Sequence, residues 1–160
     1  KTISPSMDIQ VSSNFERLMY DYLKKDTRLV NKYFFNLNTK DIFTIDKEKL
    51  EKMLKLFQGF RLSDKETKEC IKIIYKDHNI VIDPHTAVGI EAGRKNRNDK
   101  ELNVYLSTAH HGKFIDTVNN SLKENIKPPK KLRDILKKNE FYEVLDNNLI
   151  DVEKYVISKN

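Results

Sequence analysis

Residues 80–89 read Ile80-Val81-Ile82-Asp83-Pro84-His85-Thr86-Ala87-Val88-Gly89, an apolar β-branched run that gives way to a helix start. Ile80-Val81-Ile82 favours a buried strand. Asp83 suits an N-cap, and Pro84 suits the first helical position because its missing N–H would be unpaired there anyway. A second run of the same kind, Val104-Tyr105-Leu106, leads into Ser107-Thr108-Ala109-His110. In open α/β sheets ligands sit outside the carboxyl ends of the strands. The pattern therefore places Asp83, His85 and Thr86, and likewise Ser107, Thr108 and His110, where a ligand would be met.

Outward from these runs the sequence is helical. Toward the amino terminus, Ser13 and Glu16 form a Ser-x-x-Glu capping box ahead of Phe15, Leu18, Met19 and Tyr22. Asn14 and Arg17 at that helix start are candidates to approach an anionic ligand. Val30, Tyr33, Phe34 and Leu37 predict a second helix, and Leu50, Met53, Leu54 and Phe57 a third that Gly59 closes in a left-handed conformation. Ser63 and Glu66 give another capping box before Thr67, Cys70, Ile71 and Ile74. Residues 2–10 read as an extended connection and His78 as the end of a surface helix.

Pro84 to about Lys95 is helical, with Gly89, Ala92 and Gly93 on one face. Helical glycine is unfavourable by roughly 1 kcal/mol relative to alanine, so a close approach by a neighbour is expected there. Residues 96–100 read as a polar loop. Phe114, Ile115, Val118 and Leu122 predict a further helix, Pro128-Pro129 breaks it, and two short helices finish the sequence.

Composition narrows the chemistry. The 160 residues suit one domain or part of a larger one, and 38% of them are hydrophobic. No apolar segment approaches the ~20 residues of a membrane-spanning helix, so a soluble protein is expected. A single cysteine, Cys70, excludes an internal disulfide and a cysteine-based zinc site, and fits a reducing compartment such as the cytoplasm. The four glycines, Gly59, Gly89, Gly93 and Gly112, are scattered, so neither a dinucleotide fingerprint nor a nucleotide phosphate loop is present. His85, His110 and His111 with Asp83 match no compact metal-ligand spacing, and no metal is assigned.

Three ordered motifs carry a resemblance. Ser4-Pro5-Ser6-Met7-Asp8-Ile9 with Ser12-Ser13-Asn14-Phe15-Glu16-Arg17-Leu18, then Asp83-Pro84-His85-Thr86-Ala87-Val88-Gly89, then Leu106-Ser107-Thr108-Ala109-His110 with Lys113-Phe114 resemble the carboxyl-terminal part of threonine synthase. Pro128-Pro129-Lys130-Lys131-Leu132 also fits that family's tail. The resemblance implies an α/β context: residues 1–160 would be the helix-rich carboxyl-terminal portion of a fold type II pyridoxal phosphate enzyme, tryptophan synthase beta-like, with few strands in this chain.

The family is longer, and its cofactor lysine and phosphate loop precede these motifs. Lys1 rather than Met at the start fits a piece of a larger protein. The resemblance thus implies a chain inactive alone, with no catalytic lysine of its own and the amino-terminal part of the same protein as its partner. The whole enzyme would convert O-phospho-L-homoserine and water to L-threonine and phosphate. Residue-by-residue matching makes Thr108 the hydroxyl partner of the cofactor's pyridine nitrogen and Ser107 its neighbour, with Asp83, His85, Thr86, His110, Lys113, Asn14 and Arg17 as site-lining candidates. Adjacent strand residues face opposite ways, so only one of Ser107 and Thr108 should meet the ring.

A different class of function would use the net charge of +6. Between Lys127 and Lys138 six basic residues stand against Asp134 alone, which could make a basic interaction module for polyanions. No aromatic residue is interleaved there, so base stacking and hence nucleic-acid binding lack support.

Overall fold

The computed structural model describes residues 1–96 and 102–159. The chain divides into two compact units, Lys1–Lys127 and Pro128–Asn160. Among the described residues the first holds six α-helices: α1 (Ser13–Tyr22), α2 (Thr27–Lys40), α3 (Lys47–Leu54), α4 (Asp64–His78), α5 (Pro84–Lys95) and α6 (Ile115–Leu122). The second holds α7 (Lys130–Leu136) and α8 (Leu149–Ser158). Most of the loop expected over 96–100 lies outside the described residues.

In the first unit α1 packs on α2. Met19, Leu23, Val30, Tyr33, Phe34 and Met53 are buried together. Phe43, in the loop after α2, stacks its ring within 6.4 Å of Phe15, 5.5 Å of Tyr33 and 6.1 Å of Phe34. The start of α1 differs from expectation. Ser12, extended at φ −104°, is the N-cap and Ser13 already lies in the helix, so the Ser13–Glu16 box does not form. Asp26 caps α2 instead by accepting from the Arg28 and Leu29 amides at 3.0 and 3.1 Å.

The third helix is also shorter than its stripe suggests. It ends at Leu54, and both Leu56 and Phe57 donate backbone bonds to the Met53 carbonyl. Only Met53 is buried, whereas Leu50, Leu54 and Phe57 are exposed. No glycine has positive φ, so Gly59 does not close a helix. Left-handed residues do occur, without glycine, at Lys24, Lys25, Asp41, Asn79 and Lys123. Asp41, Asn79 and Lys123 terminate α2, α4 and α6, where the backbone bond each donates offsets part of the steric cost.

Helix α4 carries the expected box. The Ser63 amide donates to Glu66 at 2.8 Å and the Glu66 amide to the Ser63 hydroxyl at 3.3 Å. Lys95, the last residue of α5, reaches the other Glu66 oxygen at 2.7 Å. Helix α4 packs on α5 and α6, and Cys70, Ile71, Ile82 and Ala87 form the core between them. Burial pushes the Cys70 thiol up to about 11, as befits an inert packing residue.

Neither apolar run forms a strand, and no strand exists among the described residues. A strand needs a ladder partner to satisfy its backbone groups, and these two runs do not pair with each other. Ile82 still enters the core, but Ile80, Val104 and Leu106 are exposed. Residues 2–10 are not simply extended either, because Pro5–Met7 forms a 3-10 turn. Among the described residues no helix is long and apolar enough to cross a membrane.

Candidate functional site

The start of α5 is the most polar part of the interior. Asp83, His85 and Thr86 are 1%, 3% and 4% exposed, a depth at which every donor and acceptor needs a partner. Asp83 supplies several. One carboxylate oxygen accepts from the His85 amide at 2.9 Å and the Thr86 amide at 3.4 Å, and the other accepts from the Thr86 hydroxyl. The first oxygen also meets His85 Nδ1 at 3.0 Å.

The far side of His85 fixes its tautomer. Its Nε2 lies 3.1 Å from the Ser6 amide, which can only donate. Nε2 must therefore present a lone pair, and the proton belongs on Nδ1, where it is given to Asp83. This bond spans 79 residues of sequence. The turn it holds is fastened at two other points: Thr2 donates through its amide and hydroxyl to Asp8 at 2.6 and 3.0 Å, and the Ile3 amide donates to Asp64 at 3.0 Å. The Thr2 amide bond is the main cause that lowers the Asp8 carboxyl, with the Thr2 hydroxyl acting the same way.

The third motif meets the same residues. After Thr108, His110 caps a 3-10 turn, His111–Phe114, by accepting from the Gly112 amide at 3.0 Å. The His111 imidazole lies by the Val81 backbone. Burial, aided by His110, holds its pKa below the ordinary value, while Val81 and Asp83 pull the other way. The Phe114 ring lies 4.6 Å from the His85 ring. Ser6 and Phe114 are thus site neighbours whose only signal in the sequence is their place inside the motifs, and His111, weighed there only as a metal ligand, joins them as a packing neighbour.

Ser107 and Thr108 are exposed, as are His110 and Lys113, so their polar ends are open to a ligand or to further protein. Tyr105 sits against Gly93, where an added Cβ would come within 2.3 Å of the ring, so the glycine is there to admit an aromatic ring. Nothing lies within 4 Å of a Cβ at Gly89. Tyr105 also lines a cleft of about 380 Å³ with Ile74, His78, Ile90, Arg94, Leu102 and Asn103.

Asn14 and Arg17 are not brought to this cluster by any bond. Arg17 donates to Asn14 on the exposed face of α1, and Arg17 borders a separate surface cleft with Glu16, Tyr20 and Thr27. The basic residues of 127–138 are exposed. Among the described residues no group of three or more histidine, cysteine or acidic side chains could hold a metal ion.

The chain is similar to several known proteins along most of its length. A family model described as "Threonine synthase, C-terminal" matches residues 86–156. Threonine synthase of Saccharomyces cerevisiae is 39% identical over 176 aligned residues, covering 93% of this chain and 34% of that protein. The Pseudomonas aeruginosa threonine synthase is 33% identical, covering 97% of this chain and 34% of that protein. Among solved structures, pyridoxal phosphate-bound threonine synthase from Brucella melitensis superposes with a TM-score of 0.82 at 35% identity, over 98% of this chain and 34% of that one. The chain spans about a third of the length of these two relatives.

Proposed function

Because this chain corresponds end to end to the carboxyl-terminal portion of the threonine synthase family, we propose that it belongs to a pyridoxal phosphate-dependent carbon–oxygen lyase acting on phosphate. The whole enzyme converts O-phospho-L-homoserine and water to L-threonine and phosphate. The observation that carries this reading is the convergence of the three motifs, 79 residues apart at their widest bond, on the Asp83–His85 pair.

The donors available here fit one part of the cofactor. Thr108 offers an exposed neutral hydroxyl, which can donate to an unprotonated pyridine nitrogen, whereas the Asp83 carboxylate is already occupied by His85 and Thr86. Four dispersed glycines, none with positive φ, provide no cradle for the cofactor phosphate. The phosphate loop and the cofactor lysine are accordingly assigned to the remainder of the enzyme, on which this chain depends as its partner. When bound, pyridoxal phosphate supplies the electron sink for elimination of phosphate and addition of water.

The residues of this chain orient and tune. Thr108 would donate to the ring nitrogen without placing a full charge beside it; Ser107 is its exposed neighbour, and with no strand formed here the alternation that would separate the two does not apply. Asp83, His85, Thr86 and His110 hold the backbone that presents Thr108. Lys113, exposed one residue before Phe114, is a site-lining candidate. The isolated chain should turn over no O-phosphohomoserine.

Thr108→Val in the full-length enzyme tests the assignment. Valine keeps the volume and removes the donor, a loss of about 1–3 kcal/mol for an unpaired buried ring nitrogen. Turnover should fall and the bound-cofactor absorption should shift, while Thr108→Ser retains most activity and Ser107→Ala has the smaller effect. A well-folded Thr108→Val enzyme with ordinary kinetics and spectrum would remove Thr108 from the site.

A further inference from the structure

The buried Asp83–His85 pair has the outline of a proton relay, yet its outer nitrogen is already used. His85 Nε2 accepts from the Ser6 backbone amide at 3.1 Å, and a nitrogen so engaged cannot take a proton from a substrate without losing that bond. At 3% exposure the imidazole is also closed to solvent. What the pair does control is position. One ring face touches Phe114 in the His111–Phe114 turn, Nε2 holds the Ser4–Met7 stretch, and Nδ1 is tied to the cap of α5.

We propose that His85 is a positioning residue: as the neutral Nδ1–H tautomer, it clamps the amino-terminal turn and the turn just after Thr108 against α5, and so sets the direction of the Thr108 hydroxyl. The proposal rests on the reading of Thr108 as the ring-nitrogen partner. An adjacent pin supports the geometry: the His110 cap on the Gly112 amide at 3.0 Å. Thr108 stands two residues before that cap, so a shift of the turn is transmitted to it through a very short length of chain.

Substitutions can separate the two ring nitrogens. His85→Asn keeps an amide near the Nδ1 position, able to donate to Asp83, but cannot reach Ser6. His85→Gln offers an oxygen near the Nε2 position and loses the Asp83 bond. In the full-length holoenzyme, His85→Asn should lower kcat between about 10- and 100-fold, the effect of a small misplacement near the chemistry, with KM for O-phosphohomoserine changed less than about twofold. It should shift the cofactor absorption in the same sense as Thr108→Val and abolish hydrogen-exchange protection of the peptide containing the Ser6 amide. His85→Gln should restore that protection and part of kcat.

Nitrogen NMR of the wild-type holoenzyme with labelled histidine provides a test independent of any variant's folding: His85 should show a protonated Nδ1 and a bare Nε2. Protonation at Nε2 would overturn the proposal. So would a His85→Asn enzyme that melts at lower temperature yet keeps ordinary kcat and cofactor absorption, since His85 would then be structural only. If Thr108→Val is also without effect, the ring-nitrogen assignment itself fails; if Thr108→Val is impaired while His85→Asn is not, only the positioning role falls.

Discussion

Around α1 to α3 the buried side chains are Met19, Leu23, Val30, Tyr33, Phe34 and Met53, joined by the Phe43 ring, and the only polar atom among them is a tyrosine hydroxyl. Around α4 to α6, Cys70, Ile71, Ile82 and Ala87 share the interior with Thr67, Asp83, His85, Thr86 and Ser121. The first core can be assembled from shape and apolar area. The second requires each buried polar atom to be matched: Thr67 and Ser121 bond to carbonyls one turn back, and Asp83 satisfies His85 and Thr86. A buried polar network of this kind tolerates few alternative arrangements, because a half-satisfied network is worse than none. That intolerance suits a region that must hold three distant segments in register.

The largest effect should follow from breaking the polar core. Asp83→Ala removes the cap of α5 and leaves the His85 amide, the His85 Nδ1–H and the Thr86 hydroxyl without acceptors inside the protein. A loss of about 4 kcal/mol is expected from the combined cap and orphaned donors. Denaturant unfolding would measure it, and Asp83→Asn, which keeps an acceptor toward His85, should cost less than half as much. If the alanine and asparagine variants were equally stable, the network would not be the organising feature described.

The apolar core should yield a smaller but still substantial change. Met19 is fully buried, so Met19→Ala should cost about 3 kcal/mol through lost burial and the cavity left behind. Its neighbours are flexible or aromatic side chains able to shift into the gap, and Met19→Leu should be nearly neutral. Unlike Asp83→Ala, it should leave hydrogen-exchange protection of the Ser6 amide intact. Loss of that protection in Met19→Ala would mean that the two cores are coupled and that the contrast between them is false.

The helices were legible in the sequence because each has a face whose spacing repeats with the helical period. Met19, Val30, Tyr33, Phe34, Thr67, Cys70 and Ile71 are all buried where that period puts them. The Asp83 cap was legible for the same local reason. Strands are different, since a run such as Val104-Tyr105-Leu106 can only state a preference, and pairing depends on another segment. The bond from Ser6 to His85 was illegible: periodicity carries no information about a contact 79 residues away. Thr108 remains a residue whose role came from resemblance, with its exposure in this chain leaving the hydroxyl available. Gly93 signals a close approach, but nothing in the sequence says that Tyr105 is what approaches.

Two serines with the same sequence signature give the finest test, since Ser13-x-x-Glu16 and Ser63-x-x-Glu66 look alike on paper. At Ser63 the backbone is extended, with φ −78° and ψ 161°, and both halves of the box are made. At the first helix the extended residue is Ser12, so the Ser13 side chain lies one position too late to cap, and no side-chain cap bond forms. Ser63→Ala should therefore destabilise by about 1 kcal/mol, the ordinary worth of a cap, and Ser13→Ala should stay within about 0.5 kcal/mol because it removes only an exposed hydroxyl. Glu66 supplies a further check. Lys95 first, and then the Ser63 amide and hydroxyl, lower its carboxyl to about 2 from an ordinary 4.5. A native pKa below the unfolded one means that the contribution is complete above about 4.5 and fades as pH falls toward 2. The difference in stability between wild type and Ser63→Ala should accordingly shrink in acid, whereas Ser13→Ala should track wild type throughout. Equal losses at the two serines, or a Ser63 effect indifferent to acid, would show that the one-residue register of the α1 start is wrong or that the Glu66 bonds contribute nothing.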